Sequence, residues 1–292
     1  MQNPKWPQRA YSTGMVLVRS LLIIFCATCR PQNGTTDKET GTLSKPAADR
    51  NTVNKGSIPL GLKKLLRAYP GFLKEARGGY LIWKDGTRML YDDGREKSFE
   101  KMLDSADLED QMKQSYPAHK GFSHQEVDFD PGRIRHEPFF RKMYGGTMAE
   151  VEEKLREIIW LPSSTKRKPL RVTTVNGVDT LLQAISNELD TLKELHDYVD
   201  NPAGTFIFRE IMGTSRLSMH SFGIAIDINV KHSDYWKWKR HKQESVLRCT
   251  NKIPLKIVEL FERRGFIWGG RWYHFDTMHF EYRPELFVTT GN

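Results

Sequence analysis

Cysteine is nearly missing. The chain has three in 292 residues, Cys26, Cys29 and Cys249. Disulfide frameworks and thiolate metal sites need paired or clustered cysteines, so neither is expected here. Cys249 lies between Arg248 and Thr250 with no motif around it, which leaves no cysteine nucleophile to argue for. Long apolar runs are lacking too: the stretch Leu21 to Ala27 is too short to span a bilayer. The chain also lacks Gly-rich RNA-binding motifs and the Cys/His spacing of nucleic-acid-binding fingers. The basic triplet Lys166-Arg167-Lys168 therefore reads as a solvated loop, and no nucleic-acid partner is expected.

What is present begins with the stretch Arg216 to Asn229. It sets His220 and Asp227 seven residues apart. Ile224, Ile226, Ile228 and Val230 alternate with Ala225, Asp227 and Asn229, the pattern of a strand with one apolar face. Asp227 then points off the other face. A strand interior disfavours Asp, so a carboxylate held there needs a cation, a metal or several donors. His220 precedes the strand in a turn with Gly223, and Ser218 fixes that turn. A second polar-faced strand is expected at Asp276 to Tyr282, where Met278, Phe280 and Tyr282 alternate with His279 and Glu281. Two histidines and a carboxylate brought together by two strands suffice for zinc. Three protein ligands with a fourth position for water is the pattern of a catalytic zinc site. Asp276 is then a candidate general base, and Glu281 a residue that orients a ligand from behind. His274 is a weaker rival as ligand or proton donor.

Ser218-x-His220-x-x-Gly223-x-Ala225-x-Asp227, followed downstream by Asp276-x-x-His279-Phe280-Glu281, resembles the VanY-type zinc peptidases. That family includes D-alanyl-D-alanine carboxypeptidases and L-alanyl-D-glutamate endopeptidases. Asp276 at the base position, together with Gly265-Phe266-x-Trp268-Gly269-Gly270-x-Trp272, resembles the endopeptidase branch. The resemblance runs from about Thr205 to Leu286. It implies zinc on His220, Asp227 and His279, Asp276 as base, and peptidoglycan stem peptides as substrate. It also implies an arginine, on the strand before the His-Asp motif, that polarises the substrate carbonyl. Arg209, within a strand expected at Thr205 to Ile211, is the first choice, and Arg216 the second. Arg216, Ser218, Trp268 and Trp272 are expected to line the substrate groove. The implied fold is α+β, a small antiparallel sheet carrying the metal with helices packed around it. The D-Ala-D-Ala carboxypeptidase and a non-catalytic cell-wall-binding metal domain are the alternative functions.

The rest of the chain frames this domain. Residues 1–30 read as a signal peptide or lipoprotein leader: Arg19 precedes the short apolar run, and small residues follow. Export to the periplasm or cell envelope is expected, and membrane anchoring only through the leader or a lipid on Cys29. Removing residues 1–29, which hold Lys5, Arg9 and Arg19 and no acidic residue, lowers the net charge from +9 to +6, which suits anionic cell-wall polymers. Residues 31–58 are poor in large apolar side chains and read as a linker.

Residues 59–146 read as an accessory α+β subdomain. A helix is expected at Leu60 to Leu66, and a hairpin of Tyr80-Trp83 and Arg88-Tyr91 around Asp85-Gly86. The aromatics of this region are expected in its core. Residues 147–292 form the catalytic domain. The box Thr147-x-x-Glu150 should open a helix with Val151, Leu155, Ile158 and Ile159 on one face. Further helices are expected at Val178 to Leu192 and Pro254 to Arg264, and a strand at Arg171 to Val175. Trp236 and Trp238 read as surface packing, with edging of the groove as the alternative. The protein is expected to act as a monomer.

Overall fold

The computed structural model describes residues 57–239 and 246–289. The leader, Cys26 and Cys29, all but the last two residues of the linker, and His241 lie outside them. The fold is mixed, with helices around three small antiparallel sheets. No helix among the described residues is long and apolar enough to cross a membrane.

The first helix, α1 (Leu60–Ala68), buries Leu62 and Leu65, and Tyr69 follows it into the core. Strands β1 (Leu73–Arg77), β2 (Tyr80–Trp83) and β3 (Arg88–Leu90) form a meander in that order. The expected turn is there: Gly86 takes φ +86°, and Asp85 Oδ1 accepts the Thr87 amide at 2.9 Å. Helices α2 (Phe99–Ser105) and α3 (Leu108–Met112) follow, and then α4 (Glu137–Tyr144). The α4 aromatics Phe140 and Tyr144 meet Phe222 with ring centroids 6.1 and 6.2 Å away. Phe222 belongs to the turn that carries His220, so this helix braces the future site from behind.

The helix expected from Thr147 is a single short one, α5 (Met148–Glu152). From Leu155 the chain is a strand, β4 (Leu155–Trp160), paired with β5 (Lys168–Thr173). Ile158 and Trp160 are buried while Ile159 is exposed, so the apolar residues follow period two rather than 3.6. A partner strand overrode the local pattern. Helix α6 (Val178–Thr191) lies against β4 and buries Val178, Leu182, Ile185 and Leu189, the stripe its spacing predicts.

After α7 (His196–Val199) comes the sheet that matters for function, ordered β6-β7-β9-β8 and antiparallel throughout. Its strands are β6 (Pro202–Gly204), β7 (Ala225–Asn229), β8 (Phe266–Trp268) and β9 (His279–Tyr282). Helix α8 (Trp236–Lys239) follows β7, and α9 (Leu255–Glu262) packs on β8. Phe261 of α9 stacks on Phe280 of β9 at 4.0 Å between centroids.

One main hydrophobic core holds Leu65, Trp83, Phe139, Phe140 and Tyr144 together with Phe222, Ile226, Phe261 and Phe280. Residues on both sides of position 146 share it. A buried polar chain crosses the same divide. Tyr69 Oη donates to Glu285 Oε2 at 2.6 Å, Arg283 Nε bonds Glu285 Oε1 at 2.6 Å, and Arg283 Nη1 bonds Glu281 Oε1 at 3.1 Å. Arg283 is wholly buried, so its charge is tolerable only while both carboxylates face it. Removing one partner should therefore cost far more than the loss of a surface ion pair. Glu285→Ala is expected to destabilise the fold by about 3–5 kcal/mol and Tyr69→Phe by about 1 kcal/mol. Urea unfolding of the two variants beside the parent checks the ranking.

Candidate metal centre

Register brings the metal-ligand types together. In the β7–β9 pair Asp227 stands directly opposite His279, and Ala225 opposite Glu281. Side chains two apart on a strand share a face, so His279 and Glu281 lie with Asp227 on one side of the sheet. His220 arrives from the one-turn 3₁₀ helix Met219–Phe222 just before β7. That turn is closed by Gly223 at φ +67°, a left-handed conformation that suits glycine. A Cβ there would also lie 2.7 Å from Leu155 Cδ2 and 3.1 Å from the Thr173 amide nitrogen, so the turn is pressed against β4 and β5. Ser218 caps it, its hydroxyl accepting the His220 amide at 3.4 Å.

His220, Asp227 and His279 each offer one ligand atom, all within 4.8 Å of one another. His220 Nε2 lies 3.2 Å from Asp227 Oδ1, and His279 Nδ1 2.9 Å from the same oxygen. The far side of each imidazole is held. His220 Nδ1 is 2.8 Å from the Thr205 carbonyl, which can only accept, so that nitrogen carries the hydrogen and Nε2 is left for a ligand bond. His279 Nε2 is 2.9 Å from Glu281 Oε2, leaving Nδ1 as its metal-facing atom. Backing of a ligating imidazole by a carbonyl and by a carboxylate is how metal sites fix tautomer and ring orientation.

The electrostatics agree with that geometry. Burial alone would raise the Asp227 pKa, but the charges and hydrogen bonds of His220 and His279 hold it far below the usual carboxylate range. Glu281 is likewise pulled down to about 2, against the effect of burial, by His279 and Arg283. Asp276 goes the other way: burial, and then the charge of Asp227, push it up to about 7. Its Oδ1 is buried without a hydrogen-bond partner. A buried, unmatched carboxylate oxygen beside three convergent ligand atoms is a donor set that fits a divalent cation and its water.

Asp276 is placed by its backbone. Its amide donates to the Gly269 carbonyl at 3.0 Å, its own carbonyl accepts the His279 amide at 3.2 Å, and it bridges to Tyr235. A Cβ on Gly269 would run into the Asp276 carbonyl, and one on Gly270 into the Trp268 ring. The Gly-Gly pair thus serves this internal packing rather than a bound peptide.

Several expected site residues sit elsewhere. Residues 205–209 form no strand but pair irregularly with residues 218–221: the Ile207 amide donates to the His220 carbonyl at 3.4 Å, the Arg209 carbonyl accepts the Ser218 amide at 3.0 Å, and Ser221 Oγ accepts the Arg209 amide at 2.9 Å. A lone bridge joins Glu210 to Leu217. Arg209 is exposed, with Nη1 3.4 Å from the Glu210 carbonyl. Its charge reaches Tyr235, but no hydrogen bond ties it to the triad among the described residues. Arg216 is 9% exposed and faces Asp104, with Nε 3.5 Å from Oδ1. Ser218 is buried in its turn and Trp268 is 0% exposed, its Nε1 donating to the Thr277 carbonyl, so neither lines a groove. Trp272 does flank the site, its ring 5.6 Å from that of His279. His274 is bound to Asp130 at 2.7 Å and not to the triad.

Two contributors were not foreseen. The Thr205 carbonyl gives no side-chain signal at all. Arg133, from the accessory region, extends its charge to Asp276 and Tyr235; the turn Asp130-Pro131-Gly132 before it was the one local hint.

Residues 212–282, about a quarter of the chain, match the family model described as D-alanyl-D-alanine carboxypeptidase, and this segment is similar to that family. The matched stretch contains His220, Asp227, Asp276, His279 and Glu281, while Arg133 lies outside it. No curated protein and no solved structure matches the chain.

Glu281→Gln keeps all three ligand side chains but weakens the hold on Nε2 of His279. Its Zn²⁺ affinity, titrated against a competing chelator, is expected to fall 10- to 100-fold. Unchanged affinity would separate Glu281 from the metal centre.

Proposed function

We propose that the protein is a zinc-dependent peptidase that hydrolyses peptide bonds in the stem peptides of peptidoglycan. The observation that carries the proposal is the convergence of three ligand atoms on one spot, two of them on imidazoles held from behind, beside a buried carboxylate without a partner. The family match supports a stem-peptide substrate, and its description favours the D-alanyl-D-alanine carboxypeptidase among stem-peptide peptidases. The Asp276 base motif and the Gly-Phe-x-Trp-Gly-Gly run resemble the endopeptidase branch instead.

His220 through Nε2, Asp227 through Oδ1 and His279 through Nδ1 would hold the ion. Zinc there would supply Lewis-acid polarisation of the scissile carbonyl and lower the pKa of water toward neutrality. The chain supplies the rest. Asp276, ionised, accepts the proton of the attacking water and passes it to the leaving amine. Thr205 and Glu281 keep both imidazoles in the required tautomer. Trp272 shields one side of His279 from solvent. Action on peptidoglycan requires the protein outside the cytoplasmic membrane, which accords with the apolar leader at residues 21–27. The net charge of +6 left once the leader's Lys5, Arg9 and Arg19 are removed favours an anionic wall.

Digestion of purified peptidoglycan and of a free pentapeptide stem, read by mass spectrometry with an Asp276→Ala control, tests the proposal. Release of D-Ala alone marks a carboxypeptidase. Cleavage between L-Ala and D-Glu, or at a cross-link, marks an endopeptidase. No cleavage by the zinc-loaded parent overturns the reading.

Asp276→Ala is expected to lower kcat by a factor of about 10²–10⁴. A pH profile adds a second check. The base must be ionised, so activity is lost as pH falls through the Asp276 pKa. Burial and Asp227 set that value at about 7 without the ion, and a bound cation moves it down. The acid limb of kcat/KM should therefore lie at or below pH 7, and the residual activity of Asp276→Ala should lack it.

A further inference from the structure

Arg133 stands between two tryptophans at the rim of the metal centre. Its guanidinium carbon is 5.8 Å from the ring centroid of Trp272 and 5.9 Å from that of Trp236. Trp272 in turn lies against His279. The arginine is anchored rather than loose: Nη1 pairs with Asp130 Oδ2 at 2.8 Å. Asp130 is itself fixed, wholly buried, with its other oxygen accepting the His274 amide at 2.9 Å. Burial alone would raise the Asp130 pKa, yet the hydrogen bond from His274 and the charge of Arg133 keep it low, so the anchor stays ionised. Trp236 packs edge-on against His274 at 4.7 Å, which closes the frame.

A guanidinium has five N–H donors, and the pair with Asp130 engages one edge of it. A planar cation held by a carboxylate and flanked by indole faces is pre-organised to receive a second carboxylate. The position of Arg133 and the mechanism proposed above together suggest where a second anion would bind. The charge of Arg133 acts on Asp276 and on Tyr235, so it reaches the side of the metal centre where the base stands. The base returns its proton to the leaving amine, so that side faces the residue being released. Arg216, nearly buried behind, adds positive charge that Arg133 feels directly and that Asp104, at 3.5 Å and largely exposed, offsets only in part.

We propose that Arg133 binds the carboxylate carried by the residue on the leaving side of the scissile bond, and so selects substrates with a free carboxylate there. The proposal rests on the peptidase reading above and names the specificity of the same site. Both bond types considered above present this chemistry. In an acyl-D-Ala-D-Ala peptide the released residue bears the chain terminus. In an L-Ala-γ-D-Glu peptide the released residue bears a free α-carboxylate. The two sources differ in the side chain beside the carboxylate, a methyl group in one and the γ-linked arm in the other, and the test separates them.

Calorimetric binding of four probes to zinc-loaded protein decides the matter: the acyl-D-Ala-D-Ala peptide, the L-Ala-γ-D-Glu peptide, and the carboxamide of each at the carboxylate in question. Asp276→Ala serves as background so that turnover of the probe is slow compared with the binding measurement. At least one acid is expected to bind ten-fold or more tightly than its carboxamide. Adding Arg133→Ala should erase that preference while leaving carboxamide binding within about two-fold, and Arg133→Lys should restore part of it. The probe that shows the preference names the source of the carboxylate. Acid and amide binding equally well in the background protein, or a preference that survives Arg133→Ala and Arg133→Gln, overturns the proposal. Equal loss of acid and amide on removing Arg133 also overturns it, since it marks a structural role. A preference that is present while the unmutated enzyme cleaves neither peptide would sink the peptidase reading and leave the carboxylate site standing.

Discussion

The strand pair β7–β9 sets Asp227 opposite His279, and the site depends on that register. A slip of one residue would turn Asp227 toward the apolar face and His279 away from it, because side chains alternate with period two. The register is held from both faces. Ile226 and Phe280 oppose each other on the buried side, and Phe280 is gripped by Phe261 of α9. On the polar side Glu281 ties His279 to Arg283. Burial of apolar area fixes where the strands lie, and the polar chain fixes how the imidazole is turned. Neither would suffice alone: hydrophobic packing has no direction, and an ion chain in a buried place is costly unless the scaffold holds its geometry.

The same division explains how far the sequence could be read. Asp227 and His279 were legible because polar residues inside an alternating apolar strand conflict with burial, a conflict visible in one dimension, whereas His220 and Asp276 lie outside the strands and were picked out by motif resemblance. The helices Val178–Thr191 and Leu255–Glu262 and the hairpin at Asp85-Gly86 were legible for the converse reason, since local pattern and final packing agree there. The stretch Leu155 to Trp160 failed because its apolar spacing suits both a helix and a strand, and only the partner strand Lys168–Thr173 decides between them.

Other parts were hidden by kind. Thr205 acts through its carbonyl, and a backbone group has no letter in the sequence. Arg209 is expected in a strand, but residues 205–209 pair only irregularly with residues 218–221, and its side chain is exposed. Trp268 is expected to line the groove, yet it packs against Gly270, and Gly269 packs against the Asp276 backbone. Arg133 is far away in the chain. Nothing in its neighbourhood tells that its charge reaches Asp276.

The polar chain that begins at Tyr69 ends on a metal-facing imidazole, by way of Glu285, Arg283 and Glu281. The family match stops at Tyr282, one residue short of Arg283. The stretch that carries the family signature is therefore not a cassette that could be moved whole into another protein. Transplanted alone it would bring both histidines and both aspartates, but Glu281 would arrive without its arginine and α1 would be missing from the far end. A substitution at Tyr69 or Glu285, remote in sequence from His279, would therefore act on the orientation of that imidazole through the buried polar chain.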